Sequence, residues 1–279
     1  QDIEESRQTR EYQRFDRFDS RREHVQVGGY TLDVRKVWNE NELTLGTDGQ
    51  FNWVGSRADR TNISTGVRVP LDSRYPDGKN NMHNLAIYAQ HLRKFNEGKI
   101  ILNEGLRLQQ IWLRSSIENN TFFQLPFTSI QQDNLALTGN LGVVFLPNTK
   151  NRFSLGLASG FRAPNIDDAG KVYETFKGQL VVPNPNLQPL YVQTYELGAD
   201  LRILDAVDMS LTGFHSDLRN VMQFGPATFN GSDSVLYDGV MSKVVSLQNV
   251  GTGYIDGASI TARTTFGSWM VGGTATYSF

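Results

Sequence analysis

The sequence predicts an all-β protein whose antiparallel strands form a transmembrane β-barrel, and about ten strands can be distinguished in its 279 residues. Three observations support this class. Apolar and polar residues alternate along the strands, the strands are about 10–14 residues long where roughly 5–6 is usual in soluble sheets, and short connections alternate with long ones. Strands of that length span a bilayer when tilted. Short turns on one side and long loops on the other are typical of outer-membrane barrels.

The clearest alternation lies on both sides of a long loop in the middle of the chain. Phe153, Leu155 and Leu157 alternate with small or polar residues before the loop, and Leu197 and Leu201 do so after it. Successive side chains of a strand point to opposite faces. Each of these strands therefore has one apolar face for lipid and one polar face for a wet interior.

The other strands follow from the same alternation, and turn signals such as Asn96-Glu97-Gly98 separate them. In chain order the predicted strands cover residues 24–37, 43–53, 83–95, 100–112, 135–145, 153–162, 193–204, 207–221, 243–264 and 269–279. Long polar segments follow every second strand, over residues 54–82, 114–133, 163–192 and 222–242. Aromatic residues near strand ends suit interfacial girdles; they are Trp38, Trp53, Trp112, Phe145, Phe161, Trp269 and Tyr277.

Three local features carry their own expectations. Residues 1–23 are dense in both charges, which predicts a solvated loop, with a ligand-binding surface as the alternative. Gly28-Gly29 interrupts the first strand and predicts a β-bulge. Glu104 falls on an apolar register, so it should lie near the rim of the barrel or be turned inward by a bulge.

Composition excludes several classes of protein. The sequence contains no run of about 18 apolar residues, so no transmembrane helix is predicted. The net charge of −2 argues against nucleic-acid binding. The absence of cysteine excludes disulfides, cysteine-ligated zinc and thiol catalysis. The first residues do not form a signal peptide, and we expect a processed or truncated chain.

The sequence offers no catalytic or cofactor motif. The histidines at positions 24, 83, 91 and 215 are scattered, and the carboxylates do not have the spacing of a known metal site. We therefore predict that the chain is not an enzyme and that it binds neither a cofactor nor a metal through its own residues.

Three motifs give the sequence a resemblance to a known family. They are Gly160-Phe161-Arg162-Ala163-Pro164-Asn165, then Pro183-Asn184-Pro185-Asn186-Leu187-Gln188-Pro189, then Tyr195-Glu196-Leu197-Gly198. Their order and spacing resemble the barrel of TonB-dependent outer-membrane receptors, in which a strand runs into FRAP and NPxLxPE opens the next strand. Leu190 stands where the family usually has Glu. The likeness covers nearly the whole chain, and the earlier strands resemble the branch found in Bacteroidetes-type bacteria.

The resemblance implies how this chain fits into a larger protein. Such receptors have about 22 strands and a lumen filled by a plug. Residues 1–279 would then be part of a single receptor barrel domain, present as a partial barrel, with the plug domain outside the chain. The implied partners are outer-membrane lipid, the plug, the TonB complex and a small-molecule nutrient, in the outer membrane of a Gram-negative bacterium.

The candidate site residues come from the loops and the motifs. Loop aromatic residues are the substrate-binding candidates: Tyr75, Phe122, Phe123, Tyr173, Phe176, Phe229 and Tyr237. The family-motif and lumen-facing candidates are Phe161, Arg162, Ala163, Pro164, Asn184, Pro185, Leu187, Pro189, Glu196 and Gly198. The prolines in the second set have a second interpretation, since proline lacks the donor that a sheet needs and stops a strand whatever the function.

By resemblance, the function would be TonB-energised uptake of a scarce nutrient, with a ferric siderophore as the leading substrate. A passive porin-type channel is the first alternative, and a β protein outside the membrane is the second.

Overall fold

The computed structural model describes residues 2–11, 14–73, 75–204 and 206–279, with side chains from Arg17 onward, and contains two sheets. In chain order the elements are β1 (Asp2–Glu11), β2 (Arg14–Trp38), β3 (Asn41–Asn62), β4 (Arg68–Pro70), β5 (Gly78–Phe95), β6 (Ile100–Ile117), β7 (Ser129–Phe145), β8 (Arg152–Arg162), α1 (Ile166–Gly170), β9 (Tyr173–Phe176), β10 (Gln179–Val182), β11 (Leu190–Ile203), β12 (Val207–Arg219), β13 (Met222–Pro226), β14 (Ser234–Tyr237), β15 (Val240–Asn249), β16 (Thr252–Phe266) and β17 (Trp269–Ser278).

The larger sheet, called the wall below, has twelve strands in the order β1-β2-β3-β5-β6-β7-β8-β11-β12-β16-β17, with β4 added to β3. Each strand of this order pairs antiparallel with the next, and β1 and β17 stand at its two ends. An antiparallel series of this length confirms the predicted all-β partial barrel. Within the described part of the chain, no helix is long and apolar enough to cross a membrane.

Ten strands of the wall correspond to the predicted ones, whereas the expectations for residues 1–23 and 243–264 were wrong. The charged segment 1–23 is not a solvated loop, because β1 pairs with the first half of β2 across it; residues 1, 12 and 13 lie outside the described residues. The predicted ninth strand, 243–264, is divided between β15 and β16. Gly251 separates the two with φ near 104°, a conformation that favours glycine.

The predicted bulge at Gly28-Gly29 is also wrong. These glycines pair directly with Phe51 and Gln50, and the register between β2 and β3 is continuous over the described residues 17–62. β2 and β3 are 25 and 22 residues long, so they extend past the length that a bilayer requires. The extra residues include the charged segment.

The apolar face of the wall is the exposed one. Leu106, Leu137 and Leu197 are 62%, 66% and 64% exposed, and Leu155 also lies open on this face. Register places their side chains together, since Leu155 pairs with Leu197 and Leu108 with Leu137. The buried apolar clusters lie elsewhere, among the loops. A compact soluble sheet would bury this face, so the alternative of a non-membrane β protein is not supported, and we call this face the outward face.

The opposite, inward face is polar and cross-linked by hydrogen bonds. Arg107 donates to both carboxylate oxygens of Asp48, at 2.6 and 2.8 Å. The hydroxyl of Tyr88 donates a hydrogen bond to Asp33. Gly46 lies next to this bond, and a Cβ atom at that position would overlap both side chains. Polar side chains can pair in this way in a wet lumen. In the hydrocarbon of the bilayer the same groups would be destabilising.

Aromatic residues flank the outward face at both ends. At the end with short connections, the turn side, Phe145 and Phe153 lie 6.5 Å apart. At the end with long connections, the loop side, Trp53 packs against His83 with ring centroids 5.2 Å apart. These positions suit the two interfaces of a bilayer. Glu104 lies four residues from the turn-side end of β6, as predicted.

Glu104 also has a partner there. His91 pairs with it in register, and His91 Nδ1 lies 2.9 Å from the Glu104 carboxylate. The ring of Trp38 stacks on His91 at 6.2 Å. A carboxylate at the interface, paired with an imidazole, avoids most of the cost that it would have at the bilayer centre.

The connections sort as predicted. Two to six residues join β2 to β3, β5 to β6, β7 to β8 and β16 to β17, whereas longer segments join β3 to β5, β6 to β7, β8 to β11 and β12 to β16 at the other end. Two of those longer segments meet in the second sheet, called the loop sheet below, in which β13, β15, β10 and β9 lie side by side and β14 also pairs with β15. β10 and β15 run parallel, which joins residues 179–182 to 243–246. The long loops therefore form a folded layer above the wall.

Candidate functional site

The loop sheet has its own apolar core. Leu180, Val182 and Val244 are almost fully buried within it. Phe122 and Phe123 come from the loop between β6 and β7 and pack against the same core. A third loop is thus fixed to the two that build the sheet.

A second core anchors the loop layer to the wall. Leu113 of β6 and Ile130 of β7 are buried against Ile166 and Ala169 of α1. The short helix begins with a capping box, in which Asn165 accepts from the backbone of Asp168 and the Asp168 side chain accepts from the backbone of Asn165. Such reciprocal bonds satisfy donors that a helix start leaves open.

A group of charges ties the loop sheet to the extended part of the wall. Arg60 of β3 donates two hydrogen bonds to Asp19 of β2, at 2.8 and 3.0 Å. Its third nitrogen donates to Asp238, in the turn between β14 and β15, at 2.6 Å. Arg17 lies 3.6 Å from the other oxygen of Asp238. Both arginines therefore hold one loop carboxylate against the inward face.

Next to this charge group lies a cavity of about 520 Å³ between the wall and the loop sheet. Its lining combines cations, carboxylates and aromatic rings: Arg21, Arg60, Asp72, Ser73, Phe122, Lys171, Val172, Tyr173, Glu174, Tyr237 and Asp238. Lys171 lies 4.7 Å from the centre of the Tyr173 ring. A pocket with several convergent charged and aromatic groups is suited to a polar organic ligand.

Burial shifts the titration of two groups in this lining. Burial raises the pKa of Asp72, and Arg21 and a hydrogen bond from Tyr237 only partly oppose the shift. Burial and the neighbouring Asp72 also raise the pKa of Tyr237. The hydrogen bonds from Arg60 to Asp19 raise the pKa of that guanidinium, so its charge is permanent. The cavity therefore keeps a fixed positive charge next to a carboxyl that resists ionisation.

The structure brings together some of the loop residues proposed from sequence. Phe122, Tyr173 and Tyr237 line the cavity. The rings of Phe123 and Phe229 lie 4.7 Å apart in a tilted arrangement, beside Tyr237 in the loop core. Their role in binding stays a prediction, and the packing gives each of these rings a structural role as well.

The two other aromatic candidates lie apart from the cavity. Tyr75 packs against the cluster around Leu113 and Ala169. Phe176 is 64% exposed at the end of β9 and opposite Gln179. Neither of them contributes to the cavity lining.

The proline-rich motif acts as a clamp between loops. Gln132 donates to the carbonyl oxygens of Pro185 and Leu187, at 2.9 and 3.2 Å. Asn184 donates to the Leu247 carbonyl at 2.9 Å. Leu187 is buried, and the Pro189 carbonyl accepts from Asn220. Through these contacts the motif residues hold the loop sheet in position, which gives the motif a structural role.

Asn249 completes the clamp. Its side chain donates to the carbonyl oxygens of Gln188 and Asn220 and accepts from the Gln188 backbone at 2.8 Å. This one amide joins the start of β11, the end of β12 and the end of β15.

The first motif closes the loop-side end of β8. Ala163 and Pro164 are buried, and Arg162 donates to Asp168 of α1 at 2.6 Å. Phe161 lies on the outward face, where its ring is 5.8 Å from Tyr191, so it is not a lumen-facing residue.

The third motif contributes to the inward face. Glu196 pairs in register with Gly156 and Phe214, and Gly198 leaves space for the Ser154 hydroxyl. Both residues therefore occupy the lumen register that was predicted for them.

Sequence reasoning missed the charged members of the site. The sequence predicts a solvated loop for Arg17, Asp19 and Arg21, with a ligand-binding surface as the alternative, and a polar connection for Arg60 and Asp72. The two-residue spacing of Arg17, Asp19 and Arg21 was the available signal, since charges at every second position of a strand share one face.

Comparison with known families decides what kind of barrel this is. The family model described as "TonB dependent receptor-like, beta-barrel" matches residues 3–279. The chain belongs to the TonB-dependent receptor family. This family consists of outer-membrane receptors, so membership agrees with the open apolar outward face and the polar inward face. No curated protein matches the sequence.

Solved structures of this receptor family share the fold. The copper transporter OprC matches with a TM-score of 0.68 at 17% identity, over 94% of this chain and 37% of OprC. A mutant HasR receptor of Serratia marcescens, in complex with its hemophore HasA and heme, matches at 0.66 and 14%, over 94% and 42%. The FrpB iron transporter of Neisseria meningitidis (F3-3 variant) matches at 0.62 and 11%, over 94% and 36%. The chain thus spans about two fifths of these receptors.

Proposed function

We propose that this chain is part of the wall of an outer-membrane receptor that takes up a ferric siderophore with energy supplied through TonB. The plug and the TonB complex would lie outside this chain. The observation that carries the proposal is the cavity between the loop sheet and the extended wall, in a chain of the TonB-dependent receptor family.

The chemistry of the cavity lining supports a metal complex rather than a bare metal ion. Its cationic side chains, Arg21, Arg60 and Lys171, attract anionic or acidic oxygens, and Tyr173 and Phe122 offer aromatic faces. A siderophore brings its own iron ligands, so its receptor has to recognise charge and shape. In the part of the chain that the structure describes, no three histidine or carboxylate side chains are arranged to hold a metal.

The position of the cavity supports active uptake over a passive channel. A porin-type pore needs an open path, whereas here the loop sheet is fixed to the inward face by Arg60, Arg17 and the clamp around Asn249. A ligand held at this layer needs a driven change to move on, which the plug and TonB would supply.

The test is iron-limited growth and uptake of radioactive ferric siderophores in a strain that lacks this receptor and carries the full-length gene. We expect growth with at least one siderophore, and we expect a protonophore to abolish uptake. Lys171→Met, in the cavity, should raise the half-saturating concentration about tenfold by removing one charged contact. Lys177→Met, an exposed residue of the same loop, is the matched control.

Two results would contradict the proposal. Uptake that continues without an energised inner membrane would favour the passive channel. Failure of every iron source to support growth, while the receptor is present in the outer membrane, would exclude iron uptake.

A further inference from the structure

The outward face of the wall contains an open apolar groove of about 700 Å³ where β8, β11, β12, β16 and β17 lie side by side. Its floor is formed by small residues: Gly213 pairs in register with Ala258, and Ala199 lies two residues from the β11 partner of Gly213. Leu197 and Ile260 stand beside this floor. The mostly apolar lining of the groove suits a hydrocarbon chain, in a surface that the proposed function places in the membrane.

A polar cluster lies at the loop-side end of this groove. The row Leu197–Gly213–Ala258 is followed, two residues toward the loops, by the row Tyr195–His215–Asp256. His215 Nδ1 lies 2.5 Å from Asp256, and its Nε2 lies 3.3 Å from Asp217. The cluster therefore continues the groove on the same outward face.

Two tyrosines flank the imidazole of this cluster. The rings of Tyr195 and Tyr254 lie 6.2 and 6.1 Å from that of His215, on either side. Tyr254 is 60% exposed and Tyr195 40% exposed, so both rings still present surface. The side chains of Asp217 and Asp256 keep 52% and 30% of their exposure despite their contacts with His215.

This cluster is unusual for a surface that faces lipid. Charged side chains there are destabilising and are tolerated only near an interface. Two carboxylates around one imidazole leave the group negative whether or not His215 is protonated. Such a group repels a phosphate and accepts hydrogen bonds from hydroxyls, which sugars supply in pairs.

The geometry points to a binding site for one glycolipid of the outer leaflet, with an acyl chain in the groove and sugar hydroxyls bonded to Asp217 and Asp256. Tyr195 and Tyr254 pack against the sugar ring, whose C–H groups suit an aromatic face. The inference rests on the proposed function only for the membrane setting, and it does not involve the transported ligand.

The test measures lipid binding to the full-length receptor in detergent by native mass spectrometry, with glucosyl diacylglycerol and phosphatidylethanolamine as probes. The wild type should retain the glycolipid at an about tenfold lower concentration than the phospholipid. Gly213→Leu fills the floor of the groove, and only the Gly257 carbonyl lies within 4 Å of the added carbon, so the wall should form normally. It should weaken glycolipid retention about tenfold.

Two further variants separate the parts of the site. Asp217→Asn with Asp256→Asn keeps the size of the cluster and should remove the preference for the glycolipid, leaving equal retention of both lipids. Gly28→Leu adds the same side chain on the outward face of β2, far from the groove, with only Trp53 nearby at 3.9 Å. It should retain the wild-type preference.

Equal retention of the two lipids by the wild-type receptor would overturn the inference, whatever the variants do. So would equal losses in Gly213→Leu and Gly28→Leu, which would indicate general lipid contact. Since the assay contains no siderophore and no TonB, its failure would leave iron uptake untouched, and failed uptake would leave the lipid result standing.

Discussion

Arg60 and Asp238 join positions 178 residues apart, through a 2.6 Å hydrogen bond between the guanidinium and the carboxylate. Arg60 is held in turn by Asp19, whose side chain is mostly buried. The tip of the loop sheet is therefore attached to a rigid strand of the wall.

Asp238→Asn should loosen this attachment. The side chain of Asp238 is 30% exposed, so solvent screens the pair and its loss should cost about 1 kcal/mol. Hydrogen exchange of the β14–β15 amides should rise about fivefold. Asp233→Asn, in the same loop, changes a side chain that accepts a hydrogen bond from Ser234 and is the control. Unchanged exchange in Asp238→Asn would mean that this ion pair does not hold the sheet.

Asp72 should make the attachment of the loops depend on pH. Burial raises the pKa of this carboxyl in the folded state. Its contribution to stability is therefore complete below the ordinary carboxyl pKa and is lost as the pH rises through the raised value. Asp72→Asn, which stays neutral, should protect the loops better than the wild type at pH 7 and equally at low pH.

Limited proteolysis of the loops between pH 4 and pH 8 would measure this difference. The wild type should be cleaved faster as the pH rises, relative to Asp72→Asn. Parallel pH profiles for the two proteins would show that Asp72 is not the group responsible.

Gly46→Ala should destabilise the wall. The added methyl group would overlap the Tyr88 ring and the Asp33 carboxylate, and overpacking of this kind costs about 1–3 kcal/mol. Thermal unfolding in detergent, followed by heat-modifiable gel migration, would measure the loss. Gly273→Ala is the control, because nothing lies within 4 Å of its added carbon.

The cause can be checked with a double variant. If Tyr88 is the obstacle, Tyr88→Ala combined with Gly46→Ala should lose less stability than the sum of the two single changes. Strict additivity would assign the cost to something other than this contact.

Leu197→Arg tests the assignment of the two faces. Leu197 is 64% exposed on the outward face, and an arginine facing the bilayer costs about 2–4 kcal/mol near its centre. Insertion and heat-modifiability should fall sharply. Glu196→Arg changes the adjacent residue on the inward face and should insert at wild-type levels. Equal loss in both variants would contradict the orientation of the wall.

The wall could be predicted from the sequence because its strands and turns are marked by residues that lie close together in the chain. Alternation with period two depends only on which face meets lipid, and the turn side is fixed by signals such as Asn96-Glu97-Gly98. The same rule failed over residues 1–23, where both faces are polar, so no apolar alternation marked the strand.

The loop layer could not be predicted, because its contacts join distant segments. Phe122 and Tyr237 meet in one core although they lie in different loops, and β10 pairs with β15 without a hairpin between them. Aromatic composition indicated which residues belong to the layer. It did not indicate that Arg60 and Asp72 would lie beside them.

The parallel pairing of β10 with β15 has a consequence for exchanging specificity between receptors. Each of these strands belongs to a different surface loop, and neither completes its hydrogen bonds alone. Transplanting one loop into another receptor would leave a bare strand, prone to aggregation. The two segments should be inherited, and engineered, as a matched pair.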